Sequence, residues 1–205
     1  RPLMNILSKL LEVLLQVVVF SLIPFIWWFV TARRKEPFLS WIGLKAVRGS
    51  WLAISGCILF FFLLCVISQL WWIPSLLPAD ATVQSTYAGM GWSALPSVFL
   101  FGVIQTGLSE EILFRGFLGK RLIVRFGFAV GNLIQGALFG LLHGAMFFLV
   151  TTPLKAAVIT VITGFSGWLL GWLTEKGSGG SIIPGWLIHG AGNLILSMVQ
   201  AFGWL

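Results

Sequence analysis

The chain has 205 residues, of which 58% are hydrophobic and only 9% charged. A soluble domain carries roughly 25% charged residues, so this chain could not cover itself with a polar surface, and a second, water-soluble domain has nowhere to sit. The formal net charge of +7 does not signal a nucleic-acid partner. Arg33, Arg34, Lys35, Lys45 and Arg48 cluster between apolar segments, as in loops that face anionic lipid, with no basic face on a recognisable binding fold.

An apolar run of about 20 residues crosses a bilayer core. Six spans are expected, at about 10–32, 50–73, 93–118, 128–150, 154–174 and 183–203, which predicts an all-α, polytopic transmembrane bundle forming a single domain over 1–205. The chain opens on Arg1 rather than Met, as a trimmed or incomplete chain does. Its first apolar run is too long for a signal-peptide core and reads as a retained helix.

The basic stretch 33–48 separates the first two spans, and Cys57 and Cys65 in the second read as small buried hydrophobes. Pro74, Pro78, Asp80 and Gly89–Gly91 predict a loop before the third span. Lys120, Arg121 and Arg125 follow that span, a turn at Thr151–Pro153 follows the fourth, and Glu175–Ser181 precedes the sixth, with Pro184 just inside it. Gly136, Gly140 and Gly144 share one helical face and Gly164, Gly167 and Gly171 another, which predicts close helix packing. Short loops on one side hold the five basic residues of 33–48, three of 119–127 and Lys176. The other side holds Arg1, Lys9 and Lys155, so both termini are expected outside.

Glu110, Glu111, His143 and His189 fall inside these spans. A charge at mid-bilayer costs about 2.5–3.5 kcal/mol on insertion scales, and such groups are usually paired or functional. In Ser109-Glu110-Glu111-Ile112-Leu113-Phe114-Arg115, Glu111 and Arg115 are four apart and can pair on one helical face. Glu110 falls about 140° away from Arg115 in an α-helix. It is therefore expected to face a cavity, where a desolvated carboxylate can serve as a general base. Phe139 and His143 share a face, as do His189 and Asn193. An imidazole and a carboxamide aimed into a dry cavity can hold an oxyanion developing on a peptide carbonyl.

In order, the motifs read E-E-x-x-x-R (Glu110, Glu111, Arg115), F-x-x-x-H (Phe139, His143) and H-x-x-x-N (His189, Asn193). The chain resembles the CPBP family of intramembrane endopeptidases, which includes the CAAX proteases and the bacteriocin-processing and self-immunity proteins. The resemblance covers about Ser109 to Met198, within a family-like core of about 93–203. It implies that Glu110 and His143 activate the attacking water, that His189 and Asn193 polarise the scissile carbonyl, and that Glu111, Arg115 and Phe139 support them. Glu110, His143 and His189 could instead bind Zn²⁺ with an open position for water. Asn193 is an unusual zinc ligand, so no cofactor is the favoured expectation.

The implied partners are a peptide or membrane-anchored protein substrate and the lipid bilayer, in a bacterial inner or plasma membrane. A catalytically silent immunity or peptide-binding protein of the same family is the alternative. A proton-coupled carrier is a third reading, for which no inverted repeat speaks. By residue count His189 lies close to the basic loop and His143 deeper. Bringing them together requires a tilted, broken or re-entrant segment, for which Gly177–Gly180 and Pro184 are candidates.

Overall fold

The computed structural model describes residues 6–67 and 71–204. Among them every regular element is helical, as apolar chain in lipid requires, because only a helix satisfies its own backbone hydrogen bonds within one segment. The α-helices are α1 (Ile6–Thr31), α2 (Phe38–Trp41), α3 (Trp51–Ile67), α4 (Ile73–Leu76), α5 (Leu95–Phe99), α6 (Lys120–Phe148), α7 (Pro153–Trp172) and α8 (Ile183–Phe202). Three π-helical segments, π1 (Leu100–Leu108), π2 (Glu111–Gly119) and π3 (Leu173–Gly177), are built into the longer stretches.

Ile6–Thr31, Gly91–Phe148 and Pro153–Gly177 are long and apolar enough to cross a membrane, and Trp51–Leu64 is a shorter apolar helix. Large apolar side chains stay uncovered around the bundle, such as Leu15 at 66%, Val30 at 75% and Leu52 at 84%. A belt on that scale marks a lipid-facing surface.

The polar stretch expected at 119–127 is helical as far as Phe126. The chain breaks at Gly127 alone, where φ 78° and ψ 165° lie in a region essentially confined to glycine. The third and fourth expected spans are therefore two helices joined by a one-residue break, and the chain doubles back there: a Cβ on Gly131 would stand 2.5 Å from the backbone N of Ile123. Residues 68–70 of the second expected span, and the side chain of Cys65, lie outside the described residues, whereas Cys57 is buried with a free thiol.

Helix α6 packs on α7 through the expected glycines. A Cβ on Gly140 would stand 2.3 Å from the Thr160 carbonyl oxygen, and one on Gly136 would stand 2.9 Å from that of Gly164. The backbones thus meet where no side chain intervenes. Asn132 and Gln135, both fully buried, fasten the same pair of helices. Asn132 Nδ2 donates to the Trp168 carbonyl at 3.0 Å and Gln135 Nε2 to that of Gly167 at 2.8 Å.

The Gly177–Gly180 stretch forms a turn, with Gly179 and Gly180 at φ 65° and 79°. It docks along residues 43–50: Ile182 N donates to the Gly43 carbonyl at 2.9 Å, Ser50 N to that of Gly177 at 3.1 Å, and Ser181 Oγ to that of Lys45 at 2.7 Å. Lys120 Nζ locks it from α6, bonding Glu175 Oε1 at 2.8 Å and the Gly180 carbonyl at 2.9 Å. This anchored turn sets the starting point of α8, which carries His189 and Asn193.

Candidate active site

Glu110 and Glu111 stand where π1 gives way to π2, and π2 places Arg115 beside them. A π-helix closes i→i+5 hydrogen bonds and recurs at functional sites. Two of them in succession re-aim this stretch relative to a straight α-helix. Glu111 and Arg115 are buried completely or nearly so, with Arg115 Nη1 3.0 Å from Glu111 Oε1. The contact is one of charge, because its geometry falls short of a hydrogen bond. The Arg115 guanidinium also lies 4.3 Å from the Phe139 ring centroid, a cation–π contact strengthened by desolvation.

The same oxygen, Glu111 Oε1, lies 3.1 Å from His189 Nδ1. A carboxylate beside an arginine is an acceptor only, so Nδ1 carries the proton and the ring orientation is set. The other nitrogen, Nε2, stands 3.7 Å from Glu110 Oε2. That is too long for a hydrogen bond, and Glu110 Oε2 is a buried oxygen with no hydrogen-bond partner among the described residues. His189 is thus flanked by both glutamates, one on each ring nitrogen.

On α6, His143 Nδ1 lies 2.8 Å from the Phe139 carbonyl oxygen. That oxygen can only accept, so Nδ1 donates and a neutral His143 keeps its lone pair on Nε2. The Phe139 ring is the hub of the site, with centroids 4.4 Å from His143, 6.1 Å from His189 and 5.0 Å from Phe114. On α8, Asn193 Nδ2 donates to Thr106 Oγ1 at 2.8 Å. The Thr106 hydroxyl spends its one proton on the Phe101 and Gly102 carbonyls, at 3.1 and 3.2 Å. Thr106 can therefore only accept from Asn193, which fixes the carboxamide with its nitrogen toward π1.

His143, His189, Asn193 and Phe139 line one cavity of about 320 Å³. Its remaining wall is mainly apolar, including Phe61, Trp72, Phe147 and Ile162. Glu110 is not among the lining side chains, but its Oε2 lies 3.7 Å from Nε2 of His189, which does line the cavity. Among the described residues no three His, Cys, Asp or Glu side chains gather as a metal-ligand set, and both Nδ1 atoms are engaged by Glu111 and the Phe139 carbonyl. The irregular backbone needed to bring His143 and His189 to one cavity lies in π3 and the Gly177–Gly180 turn, and Pro184 opens α8 in its first turn.

Thr106, the Glu111–His189 contact, and the Asn132 and Gln135 clamps do not stand out in the motif spacing. The last two did carry a signal, being amides three residues apart in an apolar span. Thr106 carried none that separates it from the other hydroxyls of the bundle.

A family model described as Type II CAAX prenyl endopeptidase Rce1-like matches residues 91–195, just over half of the chain. The matched region holds every residue of the three motifs. No curated protein and no solved structure matches the chain.

Proposed function

Because the chain belongs to the Type II CAAX prenyl endopeptidase Rce1-like family of CAAX-type intramembrane proteases, we propose that it hydrolyses a peptide bond of a peptide or membrane-anchored protein inside the bilayer, with Glu110 as general base. The observation that carries this reading is the cavity wall made by His143, His189 and Asn193, with the unpartnered Glu110 oxygen 3.7 Å from His189.

Water held between Glu110 and His143 Nε2 attacks the scissile carbonyl carbon while Glu110 takes its proton. His189, protonated on both nitrogens, donates from Nδ1 to Glu111 and from Nε2 toward the carbonyl oxygen. The second N–H of Asn193 Nδ2 joins it there as negative charge develops. Glu110 then passes its proton to the leaving amine nitrogen as the carbon–nitrogen bond breaks, giving a carboxylic acid and an amine, between which the remaining proton transfers to leave a carboxylate and an ammonium. No metal enters these steps, and the chelator arm of the test below decides between them and a metal-assisted reaction. The mainly apolar wall of the cavity supports a substrate with apolar side chains or a lipid-like group near the cleaved bond.

The chain is an integral membrane protein. We place it as a multi-pass protein of a bacterial inner or plasma membrane, with both termini outside. The uncovered apolar belt and the one-sided clustering of basic residues support this placement.

The test is cleavage of a quenched-fluorescent peptide library by detergent-purified protein, wild type beside Glu110→Gln, with and without a zinc chelator. Cleavage by wild type alone, indifferent to chelator, is expected. Chelator-sensitive cleavage would replace the metal-free mechanism, and cleavage by Glu110→Gln would remove Glu110 as the base.

A further inference from the structure

The Glu111 carboxylate uses one oxygen for both of its charged neighbours. Oε1 meets His189 Nδ1 and Arg115 Nη1, whereas Oε2 is buried without a hydrogen-bond partner among the described residues. Thr174, in π3, is 1% exposed, and its Oγ1 is equally unpartnered. Both orphan atoms border the same glycine. A Cβ built on Gly185 would stand 3.2 Å from Glu111 Oε2 and 3.8 Å from Thr174 Oγ1, with Leu170 Cδ2 at 3.8 Å as the apolar wall. Gly185 is the third residue of α8, so its N–H belongs to the first turn, which a helix leaves without intrahelical acceptors.

Leaving a buried polar atom unsatisfied is costly, and more so for a charged group. Here a charged acceptor and a hydroxyl border the same side of one glycine, where an added methyl group would press on the carboxylate at 3.2 Å. The ligand that joins them must donate to the carboxylate and either donate to or accept from the hydroxyl. Water does both, and it is retained in interiors where two or more polar groups hold it.

We propose that the Gly185 notch is a water-binding site, in which one ordered water joins Glu111 Oε2 to Thr174 Oγ1 and makes Thr174 a positioning residue for Glu111 and, through it, His189. The water holds the carboxylate plane so that Oε1 stays on Nδ1. Because Thr174 precedes Glu175 at the Lys120-locked turn, the orientation of His189 is tied to the polar end of the bundle. The role given to Thr174 rests on the reading of His189 as catalytic, whereas the water site does not.

The test is an experimental density map of the full chain in lipid nanodiscs, set beside peptide-cleavage kinetics of Thr174→Val, Thr174→Ser and Gly185→Ala. A density peak within hydrogen-bond reach of Glu111 Oε2 and Thr174 Oγ1 is expected in wild type and absent in Gly185→Ala. Thr174→Val should lower kcat by roughly 10- to 10²-fold, the scale of a small misplacement of a reacting group, with KM unchanged, and Thr174→Ser should restore it. A well-ordered wild-type notch without density overturns the water site even if the enzyme is active. Density together with wild-type kcat in Thr174→Val overturns the positioning role. Density in a chain that cleaves nothing keeps the site and discards the peptidase reading instead.

Discussion

Glu111 Oε1 lies 3.1 Å from His189 Nδ1, so the residue expected only to neutralise Arg115 also sets the tautomer of a histidine 78 positions away. One buried carboxylate oxygen thereby serves two cations or potential cations, and the second glutamate keeps an Oε2 without a hydrogen-bond partner among the described residues, near the opposite ring nitrogen. The division between a supporting and a reactive carboxylate arises from this asymmetry, and four mutational outcomes follow from it and from the packing around it.

Glu110→Gln should reduce cleavage by at least about 10²-fold, the lower range of a general base's contribution, while yield and thermal stability in detergent stay at wild-type values. Glu110 Oε2 makes no hydrogen bond that the fold would lose. A drop in melting temperature as large as the drop in turnover would show that Glu110 is structural.

Glu111→Ala should damage the fold itself. It leaves Arg115, 1% exposed, without its countercharge, and breaking a buried pair costs about 3–5 kcal/mol. Poor membrane yield and an early thermal transition are the expected readouts. Full yield with only a turnover defect would separate Glu111 from the folding role.

Asn193→Ala should lower kcat by roughly 10²-fold, as the loss of one oxyanion donor does. Thr106→Val should reproduce part of that loss because the carboxamide is no longer held, and Thr106→Ser should not. Steady-state kinetics on a single peptide decide the matter; equal rates for Asn193→Ala and wild type would take the carboxamide out of the reaction.

Gly140→Val should destabilise the α6–α7 contact by about 1–3 kcal/mol, the range for overpacking, because even a Cβ there meets the Thr160 carbonyl at 2.3 Å. Gly56→Ala in α3 is the control, having nothing within 4 Å of its added methyl group. Thermal unfolding in one detergent should separate the two variants clearly, and equal melting temperatures would mean that the helices can move apart without cost.

Much of this protein is written in local pattern. Hydropathy sets out the helices because each apolar segment must satisfy its own backbone in lipid. The four-residue spacings pair Glu111 with Arg115 and put Phe139 beside His143, since those contacts lie within one helical turn. The small-residue faces of α6 and α7 were legible for the same reason. What tertiary structure alone decided are the relations between helices: His189 against Glu111, Asn193 on Thr106, and the single-residue break at Gly127 in place of a polar loop. The placement of Glu110 belongs with them. An α-helical projection alone does not give its neighbour: π1 and π2 change the winding on either side of it, and its oxygen comes within 3.7 Å of His189 Nε2, beside the cavity that His189 lines. A change of helical register shifts every later side chain around the axis, and packing against α1 and α8, rather than the order of residues along one segment, determines where that change occurs.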